Sequence, residues 1–199
     1  TTKLWNDDVR SGNTREALKK SLENLGLDYV DLYLIHWPAE GYVEAYLEME
    51  KLQKEGLTRN IGVSNFRKSH LQNLLSKVHI VPSINQIETN PQMVDEETIQ
   101  YCKENKIGVE AWSPLGSGAC LNNPKIQEIA NKYQKPSAQI ILRWLLQKGI
   151  VILPKSVHEN RIKENIDLFN FVLENEDVEL INQLNQHKRT GPDPDNFDF

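Results

Sequence analysis

The chain has 199 residues, 39% of them hydrophobic and 26% charged, the makeup of an ordinary globular protein able to bury a sizeable core. A net charge of −5 and a pI near 5.6 argue against nucleic acid or an anionic membrane as the main partner, because both need a broad basic surface. The two cysteines, Cys102 and Cys120, form no CxxC pair and have no metal-like spacing to the five histidines, so the expectation is a reduced, cytoplasmic chain without disulfide or metal site.

No apolar run reaches the roughly 18 residues of a membrane span, and no signal-peptide pattern occurs. Thr1 to Trp5 reads as the end of a strand, and we expect sequence to precede it. A helix follows over Thr14–Leu25, with Ala17, Leu18, Ser21, Leu22 and Leu25 on one face, Asn13 and Glu16 at capping-box positions and Gly26 at its stop. Tyr29–Ile35 is a strand closed by His36-Trp37-Pro38. Val43–Lys54 is helical, Asn60–Val63 a strand running into Ser64-Asn65-Phe66, and Leu71, Leu74 and Leu75 mark another helix. Ser83–Gln86 is a strand, Glu96–Lys106 a helix with Ile99 and Cys102 inward, and Gly108–Ala111 a strand leading into Trp112-Ser113-Pro114-Leu115-Gly116-Ser117-Gly118. Asn123-Pro124 opens a helix with Ile126, Ile129, Ala130 and Tyr133 inward, and a second spans about Ser137–Gln147 on Ile140, Ile141, Trp144 and Leu145. Ile150–Leu153 reads as a short buried strand. A helix then begins near Lys155, with Ile162, Ile166 and Phe169 at helical spacing, and a last helix covers about Glu176–Asn185. The Gly-, Pro- and Asp-rich tail, residues 190–199, is coil.

Short apolar strands alternating with amphipathic helices indicate a parallel sheet covered by helices, either doubly wound or a (β/α)8 barrel. No G-x-G-x-x-G follows any strand, which removes the main support for a Rossmann domain and favours the barrel. In a barrel, function gathers at the carboxyl ends of strands. Those ends carry Lys3, His36 with Trp37, Ser64 with Asn65, Gln86, Trp112 with Ser113, and Lys155 with Ser156. Each alone has an ordinary structural explanation, but six polar or aromatic strand ends together point to a shared site. The last is the most basic: Lys155, His158, Arg161 and Lys163 surround a helix start, where free N–H groups and positive potential suit a phosphate.

The chain resembles the aldo-keto reductase family, especially its bacterial and protozoal-type members. The resemblance rests on Thr2-Lys3-Leu4-Trp5, Leu34-Ile35-His36-Trp37-Pro38, Ile61-Gly62-Val63-Ser64-Asn65-Phe66, Asn85-Gln86-Ile87-Glu88, Trp112-Ser113-Pro114-Leu115-Gly116, and Pro154-Lys155-Ser156-Val157 with Arg161 and Glu164-Asn165. These motifs occur in family order over essentially the whole chain. The resemblance implies a (β/α)8 barrel that binds NADPH/NADP+ and reduces aldehydes or ketones. It implies that Lys155, Ser156 and Arg161 hold the 2′-phosphate, with Val157, Glu164 and Asn165 toward the adenine end. Ser113, Leu115 and Ser117 would lie over the pyrophosphate, Trp112 would stack on the nicotinamide, and Ser64, Asn65 and Gln86 would bond its carboxamide.

Lys3 and His36 match the family's catalytic lysine and histidine, and Trp37 lines the substrate pocket. The partner aspartate and the proton-donating tyrosine match nothing here, so the resemblance implies that roughly the first two β/α units lie upstream and that residues 1–199 are one partial barrel domain. The intact protein is expected to be a monomer whose substrate is a small carbonyl compound. The competing expectation is a nicotinamide-nucleotide-binding module without turnover. A barrel short of two units would expose sheet edges, so the isolated chain is expected to be poorly soluble.

Overall fold

The computed structural model describes residues 1–199. Six strands pair in parallel in the order of the sequence: β1 Thr2–Leu4, β2 Val30–Ile35, β3 Thr58–Ser64, β4 Ile84–Glu88, β5 Gly108–Trp112 and β6 Val151–Ile152. The helices are α1 Asn6–Ser11, α2 Thr14–Leu25, α3 Tyr42–Lys54, α4 Lys68–Leu75, α5 Glu96–Glu104, α6 Pro124–Tyr133, α7 Ser137–Gln147, α8 Glu159–Ile166 and α9 Asn175–Asn182. The alternation read from the sequence is the one observed, as hydrophobic periods switching between two and 3.6 require. Contacts divide the chain into two compact units, one of Thr1–Gln86, Glu97–Gly108 and Asp193–Phe199, the other of Ile87–Glu96 and Val109–Pro192.

In the first unit the core is built from Tyr33, Leu34 and Ile35 of β2, Tyr46, Met49 and Leu52 of α3, Ile61 and Val63 of β3, and Leu71 and Leu74 of α4. Gly62 is required because a Cβ there would stand 2.6 Å from the Ile84 carbonyl oxygen of the neighbouring strand. Two local readings are corrected. Asn13 makes no capping bond to α2, its amide donating instead to Ser11 Oγ at 3.1 Å, so the expected capping box is not formed. The six-residue helix α1 was not foreseen, because one and a half turns are too short to show a period.

In the second unit, α6 starts as expected: Asn123 Oδ1 accepts from the backbone N–H groups of Lys125 (3.0 Å) and Ile126 (3.5 Å), with Pro124 at the first helical position. Ile140, Ile141, Trp144 and Leu145 bury the inner face of α7. Two expectations fail beyond it. β6 is not a buried strand, since Val151 and Leu153 are exposed while Ile150 is buried; it is the last strand of the sheet and packs against α7. α8 buries no residue: Ile162, Ile166 (74% exposed) and Phe169 line an open apolar groove with Leu146, Ile152 and Leu168, so the helical spacing is correct but nothing covers it. α8 also begins at Glu159 with His158 in the cap position, which leaves Lys155 and Ser156 in the preceding loop rather than on the first turn.

Candidate functional site

In the first unit the strand ends meet through backbone register. Lys3 pairs with Leu34 and Leu4 with Ile35, and the His36 N–H donates to the Leu4 carbonyl at 3.0 Å, so the ends of β1 and β2 lie side by side. Burial, and then the positive charge of Lys3, push the His36 pKa down to about 4. The imidazole is therefore neutral at pH 7 and can donate one N–H without carrying charge. Trp5 packs edge-on against His36 with ring centroids 5.0 Å apart, and Trp37 stacks at 6.4 Å.

Ser64, Asn65 and Gln86 are buried at the ends of β3 and β4. Ser64 Oγ donates to the Gln86 carbonyl at 2.8 Å, and the Asn65 N–H donates to the same oxygen at 2.9 Å. Asn65 Nδ2 donates to the His36 carbonyl at 3.0 Å, so one side chain links the β2 and β3 ends. Asn65 has φ +63°, a left-handed conformation that asparagine tolerates better than most residues.

The tail adds residues that the sequence did not mark as functional. Phe197 lies 5.2 Å and Phe199 5.3 Å from Trp37, and Phe199 stacks on Trp5 at 5.8 Å. Arg67 forms ion pairs of 2.6 Å with both Asp193 and Asp195, and His70 Nε2 lies 3.4 Å from Asp195. Residues 193–199 are coil as expected, yet they are clamped and form an aromatic wall beside His36. The one available signal was the Phe-Asp-Phe alternation at Phe197-Asp198-Phe199, which offers two rings on one side of an extended segment.

In the second unit Trp112 ends β5, and the loop after it is held in an unusual shape. Ser113 (φ +48°) and Ser117 (φ +53°) both occupy the left-handed region, which is strained for non-glycine residues. Gly116 lies against Cys120, where a Cβ would come within 2.8 Å of Sγ. A cleft of about 740 Å³ opens between this loop and the segment after β6. Ser113, Leu115, Ser117, Lys155, Ser156, Arg161, Glu164 and Asn165 all line it, so eight of the residues singled out from the sequence share one cavity. Val157 does not line it and is 74% exposed.

Ser156 Oγ accepts from the His158 N–H at 3.1 Å and so shapes the entry to α8. At the other end of the helix the buried Gln139 donates to the carbonyls of Glu164 (2.9 Å) and Asp167 (3.0 Å), which anchors α8 to α7. Lys163 is paired with Glu159 at 2.7 Å, whereas Lys155 and Arg161 are exposed side chains at the rim of the cleft. The arrangement offers two cations and the free N–H groups of a helix start to an anion.

The sequence profile of the aldo/keto reductase family matches residues 1–186. The chain belongs to that family. It is 52% identical over 200 residues to an uncharacterized oxidoreductase, YtbE, of Bacillus subtilis (strain 168), spanning 100% of this chain and 71% of that one. It is 48% identical over 200 residues to the glyoxal reductase of the same organism, spanning 100% of this chain and 72% of the relative. Among solved structures it resembles a Bombyx mori aldo-keto reductase in complex with NADP, with a TM-score of 0.91 and 40% identity, covering 98% of this chain and 70% of that one. NADPH/NADP+ is thus the cofactor found with the fold in this family.

Proposed function

We propose that this chain carries the cofactor-holding and carbonyl-orienting parts of an NADPH-dependent reductase of small aldehydes and ketones, built on the family's (β/α)8 barrel. The observation that supports it best is the gathering of eight family-matched residues into one cleft of about 740 Å³, with Lys155 and Arg161 at its rim. That cavity and its charge suit the phosphate-bearing end of NADPH. Lys155, Ser156 and Arg161 hold the 2′-phosphate, where a charge partner favours NADPH over NADH. Glu164 and Asn165 lie toward the adenine end, with exposed Val157 beside them. Ser113, Leu115 and Ser117 would hold the pyrophosphate, Trp112 would stack on the nicotinamide, and Ser64, Asn65 and Gln86 would bond its carboxamide.

Bound NADPH supplies the hydride. His36, neutral at pH 7, donates an N–H to the carbonyl oxygen, where negative charge grows during reduction. Lys3 is the cation of the acid–base pair, and Trp37 is a wall of the substrate pocket. The proton-donating tyrosine and its aspartate partner are contributed by sequence outside residues 1–199. The name of the glyoxal reductase relative makes small dicarbonyls the first substrates to try.

The test has two arms. NADPH added to the intact protein is expected to quench its tryptophan fluorescence saturably, and the same protein is expected to oxidise NADPH with glyoxal, methylglyoxal or a simple aldehyde. Binding without turnover of any carbonyl by the intact protein would leave a cofactor-binding module instead.

A further inference from the structure

Glu88 closes β4, belongs to a motif singled out in the sequence, and has no part in the chemistry above. It is 2% exposed, yet its carboxylate takes four donors from within its own unit. Oε1 accepts from the Thr190 N–H at 2.6 Å and the Thr190 hydroxyl at 2.5 Å, with Asn90 Nδ2 at 3.5 Å, and Oε2 accepts from the Gly191 N–H at 3.3 Å. Burying a carboxylate is costly without such partners, so this cluster ties the coil segment to the end of β4. What it holds is Gly191 against Trp112. A Cβ on Gly191 would collide with Cη2 at the far edge of the Trp112 six-membered ring and stand 3.1 Å from Cζ3. Gly191 lies outside the positive-φ region, so glycine is needed there for the close approach to the ring and not for the backbone.

A tryptophan on a strand end can swing about its two side-chain torsions. An edge stop at Cη2 removes that freedom on one side. We infer that Glu88, acting through Thr190 and Gly191, is a positioning residue that sets the plane of the Trp112 ring for the nicotinamide. This inference rests on the reading that Trp112 stacks on nicotinamide.

Two variants test it. Gly191→Ala pushes on the ring while keeping the bonds to Glu88, and Glu88→Gln replaces an acceptor oxygen with a donor facing other donors. Dissociation constants would be measured for NADPH and for 2′-phospho-ADP-ribose, which lacks only the nicotinamide, together with melting temperature. Both variants are expected to bind NADPH about tenfold more weakly while binding 2′-phospho-ADP-ribose like the wild type. In the intact protein a displaced ring is expected to lower kcat by up to about 100-fold. Unchanged NADPH affinity in Gly191→Ala would overturn the inference even if Glu88→Gln failed to fold. Equal losses for both ligands would also overturn it, by showing a merely structural role. If wild-type chain bound 2′-phospho-ADP-ribose but gained nothing from the nicotinamide, the stacking role of Trp112 would fall and this inference with it, while the phosphate site would stand.

Discussion

The two groups of family-matched residues are built on opposite plans. In the first unit Ser64, Asn65 and Gln86 are buried and His36 is half-buried; they are linked by hydrogen bonds, and His36 packs against Trp5 and Trp37. Lys155, Ser156 and Arg161 in the second lie at or near the surface, around a helix that buries none of its own residues and is anchored by Gln139. Orienting a carbonyl within tenths of an ångström demands preorganised donors, whereas a phosphate can be held by cations at the surface. On the proposed roles, the difference separates a geometric task from an electrostatic one.

The largest effect expected is on the geometric side. His36→Gln should lower kcat/KM of the intact protein for a small aldehyde roughly 100- to 1000-fold, with NADPH affinity unchanged. A parallel loss of cofactor affinity in fluorescence titrations would erase the distinction between the two groups. Next comes stability. Asn65→Ala removes a buried bond to the His36 carbonyl and leaves a β-carbon residue in left-handed backbone, which should cost about 1–3 kcal/mol in urea denaturation. Lys155→Ala, at an exposed position, should shift stability by less than about 0.5 kcal/mol in the same assay. Similar values for the two would contradict the contrast.

A further test is a pH dependence. Folded His36 takes up its proton near pH 4, and its ordinary value is 6.5, so between those values the unfolded chain binds more protons. Its contribution to stability is complete above pH 6.5 and is lost progressively as pH falls toward 4. A His36→Gln variant should lose less stability on acidification over that window. In NMR titrations the His36 ring protons should shift near pH 4, and a midpoint near 6.5 would remove the case for a neutral, buried imidazole.

The alternation of strands and helices, and nearly every helix, could be read from the chain because Leu18 and Leu22, Ile126 and Ile129, or Ile140 and Trp144 fall on one face at helical spacing. The same rule misled for Ile162, Ile166 and Phe169, because spacing reports a face but not whether anything packs on it. The strand-end residues were legible since parallel sheets put their polar groups there. Phe197, Phe199, Glu88 and Gly191 were not assigned roles, because a coil has no period and the contacts that give these residues meaning join positions far apart in sequence, 103 apart for Glu88 with Gly191 and 194 for Trp5 with Phe199. Position in a motif marked Glu88 without saying what it holds.

The central claim is that the cleft beside α8 receives the 2′-phosphate of NADPH through Lys155 and Arg161. The most direct measurement compares dissociation constants of NADPH and NADH for the intact wild-type protein and for its Arg161→Ala variant at one ionic strength. Wild type is expected to bind NADPH at least about tenfold more tightly than NADH, and Arg161→Ala to lose most of that preference with NADH affinity unchanged. Equal affinities for the two cofactors in the wild type, or an undiminished preference in the variant, would contradict it.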